Sequence, residues 1–577
     1  VAGFFSLATL VLGVWLGLSA FSARANLESA QRHLQGARAE LVRLDVGAAQ
    51  REVELAAAET ADARSATSMW LWRAMGDVPY LGTPFESTAS IAEAADDLVA
   101  LVLRPVVEQA AALSPENSRV AGAEVDLAAL SRARDPLSDA LSASSVLRNR
   151  IDAIPADSWI GKVDDARQNL QGRSAELNGL LSNAVTASTL LPPMLGADGP
   201  RNYFLAFQTN AEARGTGGLV GAYGILTADQ GRISLDTLGS NRDLSNRGKV
   251  GIDLGSEYSE QYDVYRSTSV WANSNASAHF PYAAQIWMSL WEQETGQRLD
   301  GAIATDPVAL SYLLKVAGPV KSATGDTVDG SNVVRLTESE VYLRYPDDQR
   351  ARKDYLQSIS SAVVDKILRG GGGSTTGLLG ALGRAASEGR LAVWSSSPGE
   401  AEVLAATPLG HTVPETDQPY AQVVVNNAAG NKLEYYLGRQ VGYTAGPCVG
   451  PVRASTVTVD LTNNVPAGGP DAPSYVYGRI DRGAVGPPGT SRLLVALNAT
   501  HGAELLSVTV DGVPATARVA TERSHPVYTV DVQIPPGATK KLQYNLTEPT
   551  APGRAIVPVQ PLVEPMGTEI NVPQCSN

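Results

Sequence analysis

The chain runs to 577 residues, 44% hydrophobic and 18% charged, with a formal net charge of −14. That length and balance describe several ordered domains rather than a disordered tail, and the acidity argues against nucleic acid, because phosphate-backbone binding needs a basic surface. The two cysteines, Cys448 and Cys575, are too few for a disulfide framework or an all-cysteine structural zinc site. One disulfide between them is open to the chain if that part faces an oxidising space.

Val1–Ala23 carries no charge and is long enough to cross a bilayer as a helix. It is longer than a signal-peptide core, and Phe21-Ser22-Ala23 is only a loose cleavage match. The reading is a single-pass transmembrane anchor over residues 1–23, in the cell membrane, with the bulk of the chain extracytoplasmic. Leu27, Ala30, Leu34, Ala37, Leu41, Leu44, Ala48 and Leu55 then form a stripe at three-four spacing. A dimeric stalk and an intramolecular bundle both fit, and the small alanines favour the bundle. Helical patterning continues through Ile91–Ala112, Val125–Ile154 and Val163–Leu190, with breaks at 79–84, 114–117 and Pro155. Residues 25–190 read as an extracytoplasmic all-α domain with Trp70 and Trp72 as core anchors.

Pro192-Pro193, Gly196 and Gly199-Pro200 mark the boundary into an α/β domain over 196–410. Strands are predicted at Tyr203–Gln208, Leu219–Thr227 and Ile233–Leu238, with a polar loop Asn210–Gly218. The loops hold Asn210, Glu212, Arg214, Arg242 and Asp243. Such groups at a sheet rim build an anion or metal site, or they are turn residues and solvated charges. Pro281–Thr295 reads as an amphipathic helix, Asp300–Asp306 as a buried strand, and Pro307–Val316 as a helix with proline in its first turn. Another helix runs from Thr337 towards Tyr342, and Asp347–Leu368 carries Arg350, Arg352 and Lys353 near its start. The glycine run 369–374 lacks the Lys-Ser/Thr of a phosphate loop and reads as a linker. From 417 to 577 the texture is β, with alternation in Val457/Val459/Leu461, Leu506/Val508/Val510 and Tyr528/Val530/Val532/Ile534. Turns at Asp511-Gly512 and Pro535-Pro536-Gly537 separate the runs, which suggests an immunoglobulin-like β-sandwich.

The five histidines are scattered, and HExxH, paired CxxC, GxSxG and Walker patterns do not occur. Metalloprotease, serine hydrolase and NTPase chemistry therefore has no support. What remains is electrostatic: arginines holding a phosphate or pyrophosphate bidentately, and carboxylates holding a divalent cation.

Three stretches carry a family likeness: PRNYFLAFQTNAEARGTGGLVGAYG at 200–224, ETGQRLDGAIATDPVALSYLLKVAGPV at 294–320 and DDQRARKDYL at 347–356. With GSNRDL at 239–244, they resemble the LytR-CpsA-Psr (LCP) family of membrane-anchored bacterial envelope proteins. More closely, the chain is similar to an actinobacterial family of unknown function related to it. The resemblance implies transfer of glycopolymers from a polyprenyl-pyrophosphate carrier onto the cell wall, with magnesium (Mg2+) and an arginine-rich pocket. Residue by residue it implies Arg214, Arg242 and Asp243 as catalytic, with Arg350, Arg352, Lys353 and Asn210 as ligand contacts. Thr216 stands where the family's R-S-D-T has its metal-binding Asp, so Glu212 or Asp236 would take the cation. Lys353 and Asp354 stand where its last arginine and glutamine belong. Two functions follow: a glycopolymer phosphotransferase on a lipid-linked substrate, or a non-catalytic envelope scaffold binding glycan or protein partners through its helical and β domains.

Overall fold

The computed structural model describes residues 2–42, 45–112, 125–156, 158–244, 248–368, 374–466, 472–478 and 486–575. The break expected at 114–117 and the glycines 370–373 lie outside them. The chain forms two compact units, one of residues 1–199 with the turn 229–232, the other of 200–228 and 233–577.

The first unit is helical: α1 (Ala2–Val42), α2 (Val46–Thr67), α3 (Trp70–Gly76), α4 (Thr83–Leu98), α5 (Arg104–Ala112), α6 (Leu127–Asp152) and α7 (Gly161–Met194). A π turn at Val99–Leu103 joins α4 to α5. α1 and α2 pair antiparallel, with Ala37 beside Ala49 and Val53 at one end and Ala23 beside Ala63 at the other. From Leu27 to Leu41 the stripe is thus spent on intramolecular packing, its alanines letting the helices approach closely, whereas Leu55 is exposed and Leu44 lies outside the described residues. Asp45 caps α2 by accepting the Ala48 N–H at 2.8 Å. Trp72 is buried against Phe85, with ring centroids 5.2 Å apart, whereas Trp70 is exposed.

The expected transmembrane anchor is corrected here. Among the described residues, no helix is long and apolar enough to cross a membrane. The end of the apolar run is one face of a bundle helix: Ala23 is fully buried against Ala63 and Ala92, and the Trp72 Nε1–H donates to Ser19 Oγ at 2.9 Å. The same helix continues without a break through Arg24, Glu28 and Arg32. The described architecture is a helical N-terminal region, mixed α/β sheets and a β-rich C-terminal region.

The second unit opens with a five-stranded sheet in the order β3-β2-β1-β4-β7, from β1 (Arg201–Arg214), β2 (Gly217–Asp229), β3 (Arg232–Ser240), β4 (Gly301–Thr305) and β7 (Leu391–Ser395). β1 runs antiparallel to β2 and parallel to β4. The two-stranded ribbon β5 (Val320–Lys321) and β6 (Thr327–Val328) lies apart from this sheet. One face is covered by α8 (Ser256–Tyr262) and α9 (Phe280–Thr295), whose Trp287 and Phe280 pack with Phe204 of β1. A second core joins α10 (Pro307–Ala317), α11 (Val333–Arg335), α12 (Val341–Arg344) and α13 (Gln349–Leu368). A π turn, Leu336–Glu340, links α11 to α12. α14 (Thr375–Ser387) and α15 (Pro398–Ala405) flank β7 in sequence.

The polar loop expected at Asn210–Gly218 is instead largely strand. β1 runs on to Arg214 through an irregularity in its pairing with β2 between Thr209 and Ala213. There, side chains replace ladder partners: Glu338 accepts the Ala211 N–H at 2.7 Å, and Glu434 accepts the Ala213 N–H at 3.2 Å. Buried backbone donors must be paired, and these two carboxylates do it.

The β-rich region holds β8 (Ala421–Asn427), β9 (Leu437–Ala445), β10 (Val452–Asn463), β11 (Ser491–Ala499), β12 (Glu504–Val510), β13 (Val513–Pro514), β14 (Arg518–Glu522), β15 (His525–Ile534), β16 (Thr539–Pro549) and β17 (Met566–Asn571). A six-stranded sheet, β13-β12-β16-β10-β9-β17, packs against a four-stranded one, β14-β15-β11-β8, over one core. Val457, Val459 and Leu461 face inward as the alternation predicts. Leu506 does not. A bulge between Leu505 and Ser507 turns Leu505 towards the core and leaves Leu506 exposed. Cys448 and Cys575 form a disulfide, with Cα atoms 5.6 Å apart.

Candidate functional site

Because β1 and β4 are parallel neighbours, paired from Tyr203↔Gly301 to Phe207↔Thr305, their carboxyl ends open at the same edge. In open α/β sheets that edge is where ligands bind. Asp306 follows β4 and caps α10, accepting the Ala309 N–H at 2.8 Å, and Pro307 supplies the first helical turn. A cavity of about 180 Å3 lies here. Its apolar wall is Phe207, Leu219, Leu310, Tyr342, Leu356 and Ile359. Its charged groups are Asp306, Glu338, Arg352, Lys353 and Lys432.

Each of these is positioned by the fold. Glu338 sits on the π turn, nearly fully buried, and its Oε2 accepts from Thr209 Oγ1 at 2.8 Å as well as from Ala211 N. Burial pushes its carboxyl up to about 7 against the help of those two donors. Lys353, one turn into α13, donates from Nζ to Ser240 Oγ at 2.8 Å and to Asn241 Oδ1. Burial, then the positive charge of Arg242, draws its ammonium down to about 8. Arg352 lies over two aromatic rings, 5.5 Å from the Tyr342 centroid and 4.8 Å from that of Tyr475. Lys432 pairs with Glu212, which also accepts from Arg214 at 2.8 Å. Burial opposes charge on both Lys432 and Glu212, but their mutual attraction outweighs it, holding the lysine up and the carboxylate down.

The sequence candidates separate accordingly. Arg352 and Lys353 line the cavity, whereas Arg350, a turn earlier on α13, is exposed. Arg242 and Asp243 are exposed in the turn after β3, where Asp243 accepts the Ser240 N–H at 2.8 Å. They flank the cavity through Ser240 and Asn241. Arg214 is 5% exposed and saturated: it donates to Glu212 and to the backbone carbonyls of Ala213, Ala272 and Asn427. With Glu212 it lines a different cavity of about 380 Å3. Asn210 is buried and donates to the Pro561 carbonyl at 3.0 Å.

The proposed cation ligands do not come together. Asp236 hydrogen-bonds Thr227, which pairs with Asn202 near the start of β1. Glu212 lies ten residues further along that strand, a separation of about 30 Å at ~3.3 Å per residue. Glu212 is also neutralised by two cations. This donor set does not fit magnesium, and among the described residues no group of three His, Cys, Asp or Glu could hold a metal.

Residues 198–342 match the family model described as a protein of unknown function, DUF4012. That stretch supplies β1 to β4 and the cavity wall from Phe207 to Tyr342, while α13 and Lys432 lie beyond it. No curated protein and no solved structure matches the chain.

Sequence reasoning missed Glu338, Asp306 and Lys432. A signal existed for Glu338: Val334, Val341 and Tyr342 stand at i−4, i+3 and i+4, so the acid shares an apolar helix face. Lys432, alone in Asn431-Lys432-Leu433, offers none.

Proposed function

We propose that this is a cell-envelope protein whose sheet-edge cavity holds the first apolar units and the phosphate of a polyprenyl-linked glycopolymer, in the manner of the LytR-CpsA-Psr proteins it resembles. The observation that carries this reading is the composition of one cavity. An apolar wall suits an isoprenoid chain, and Lys353 and Arg352 beside it suit a phosphate or pyrophosphate head. The Cys448–Cys575 disulfide supports an oxidising compartment outside the cytoplasm.

Transfer, rather than binding alone, is a second reading, and Glu338 favours it. A carboxyl near 7 in the cavity is tuned for taking a proton from an attacking hydroxyl.

The test is binding of farnesyl phosphate and farnesyl pyrophosphate to the full chain by native mass spectrometry and calorimetry. Wild type binds, and K353M binds at least about tenfold more weakly, the loss of one charge-assisted contact. A wild type that takes up neither lipid, or a K353M protein that binds equally well, ends the reading. If E338Q binds the lipid normally but transfers no glycan, the transferase reading stands.

A further inference from the structure

A separate cleft of about 660 Å3 lies between the α/β layers and the strap 558–566 of the β-rich region. Its arginines are paired with one exception. Arg384 binds Glu388 at 2.8 Å and stacks over Tyr312, 4.0 Å from the ring centroid. Arg390 bridges Asp306 and Glu388, both at 2.9 Å. These two cations and two carboxylates balance. His411, which also lines the cleft, is half-buried, and desolvation draws its pKa down to about 4, so it adds no charge at neutral pH.

Arg439, on β9 (Leu437–Ala445), is the exception. It is 7% exposed. Its Nη1 and Nη2 donate to the backbone carbonyls of Gln560 and Glu564, both at 3.0 Å. Its Nε is buried without an acceptor. Among the described residues no carboxylate pairs with it, and the Glu564 side chain is exposed. Burial, then the like charge of Arg390, draws its pKa down to about 9. A buried guanidinium is costly to keep unless an anion completes it, and here the buried one has no counter-ion, while the cleft's remaining carboxylate, Glu564, faces solvent.

We propose that this cleft binds a small organic oxyanion, a carboxylate or phosphate monoester, that docks on Arg439. The guanidinium fork matches such an oxyanion geometrically. The cleft is much larger than the anion alone and falls within the volume range, roughly 300–1,000 Å3, of small-molecule sites. Pro408, Pro558, Val563 and Pro565 give the remainder of the ligand an apolar wall.

Calorimetric titration and thermal melts of the full chain in chloride buffer, with inorganic phosphate and with acetate as probes, test this. Wild type binds at least one of the two saturably, and the preferred ion tells phosphate from carboxylate ligands. R439M binds at least tenfold more weakly, and without anion it melts no lower than wild type, because a buried unpaired charge has been removed. K353M, altered at the other cavity, removes any phosphate bound there, and the saturable binding that K353M retains is the binding that R439M must lose. Wild type that takes up neither ion, or R439M that binds like wild type, overturns the proposal. Should R439M not fold, R439Q, which keeps amide hydrogens for the strap carbonyls, replaces it in the same comparison.

Discussion

Two charged segments of the second unit look alike in sequence and differ in use. The end of β1 carries Asn210, Glu212 and Arg214; the start of α13 carries Arg350, Arg352 and Lys353. At the end of β1 every charge is buried and spent: Arg214 meets Glu212 and three carbonyls, and Glu212 meets Lys432 as well. At the start of α13 two of three cations face a cavity, with Lys353 held by neutral groups rather than by a carboxylate. A neutral hydrogen-bond partner leaves the lysine's charge available to a ligand. A carboxylate partner does not.

Breaking the saturated segment has the largest effect. E212A strands Arg214 and Lys432 without their shared counter-charge, and a buried pair broken on one side costs about 3–5 kcal/mol. Urea unfolding of the second unit measures it; a loss under about 1 kcal/mol would mean that water reaches these groups. Next comes the disulfide, which closes a loop spanning 127 positions. C448A/C575A removes about 2–4 kcal/mol, the typical contribution of a disulfide, read in the same unfolding experiment without reductant.

Glu338 joins the two segments, since it pairs the β1 backbone and also lines the cavity. Its carboxyl titrates near 7 in the folded chain against an ordinary 4.5. The folded state therefore holds this proton more tightly. The resulting stabilisation is complete below about 4.5 and is lost as pH rises through about 7. E338Q lacks that loss, so its stability relative to wild type rises between pH 4.5 and pH 8, by on the order of 1–3 kcal/mol. Glu434, also pushed up to about 7 by burial, keeps a similar slope in both proteins. Melts at the two pH values show the difference, and parallel curves would place a second charge beside Glu338.

Much of this fold was legible from pattern alone. The β1–β4 strands, the proline-started α10 and the inward alternation of β10 and β15 follow from apolar periodicity bounded by turns. What periodicity does not encode is where a polar residue's partners come from. Arg214 reads as a rim arginine until Asn427 and Glu212 surround it, and Lys432 arrives at the cavity from 220 positions beyond its partner Glu212. The end of the run Val1–Ala23 misled for a related reason: an uncharged residue such as Ala23 reads the same whether lipid or Ala63 and Ala92 cover it. Of the α13 candidates, Lys353 and Arg352 were readable as a cationic pair on one helix, but their aromatic and serine partners were not.

The smallest effects belong to the open segment, and they separate charge from structure most cleanly. K353M changes stability by less than about 1 kcal/mol, since it replaces a lysine whose ammonium is already disfavoured by burial, yet it weakens phosphate-lipid binding. In wild type that binding falls as pH rises through about 8, where Lys353 loses its proton. R242A makes a finer change. Arg242 is exposed, and its positive charge is the second cause, after burial, of the lowered Lys353 pKa. Removing it lets the Lys353 ammonium persist to higher pH, so the fall in farnesyl phosphate affinity moves upward in pH while the melting temperature stays where it was. A direct phosphate contact by Arg242 would do the opposite, lowering affinity at every pH without moving the midpoint. The shape of one binding-against-pH curve therefore decides whether Arg242 touches the ligand or tunes the lysine that does.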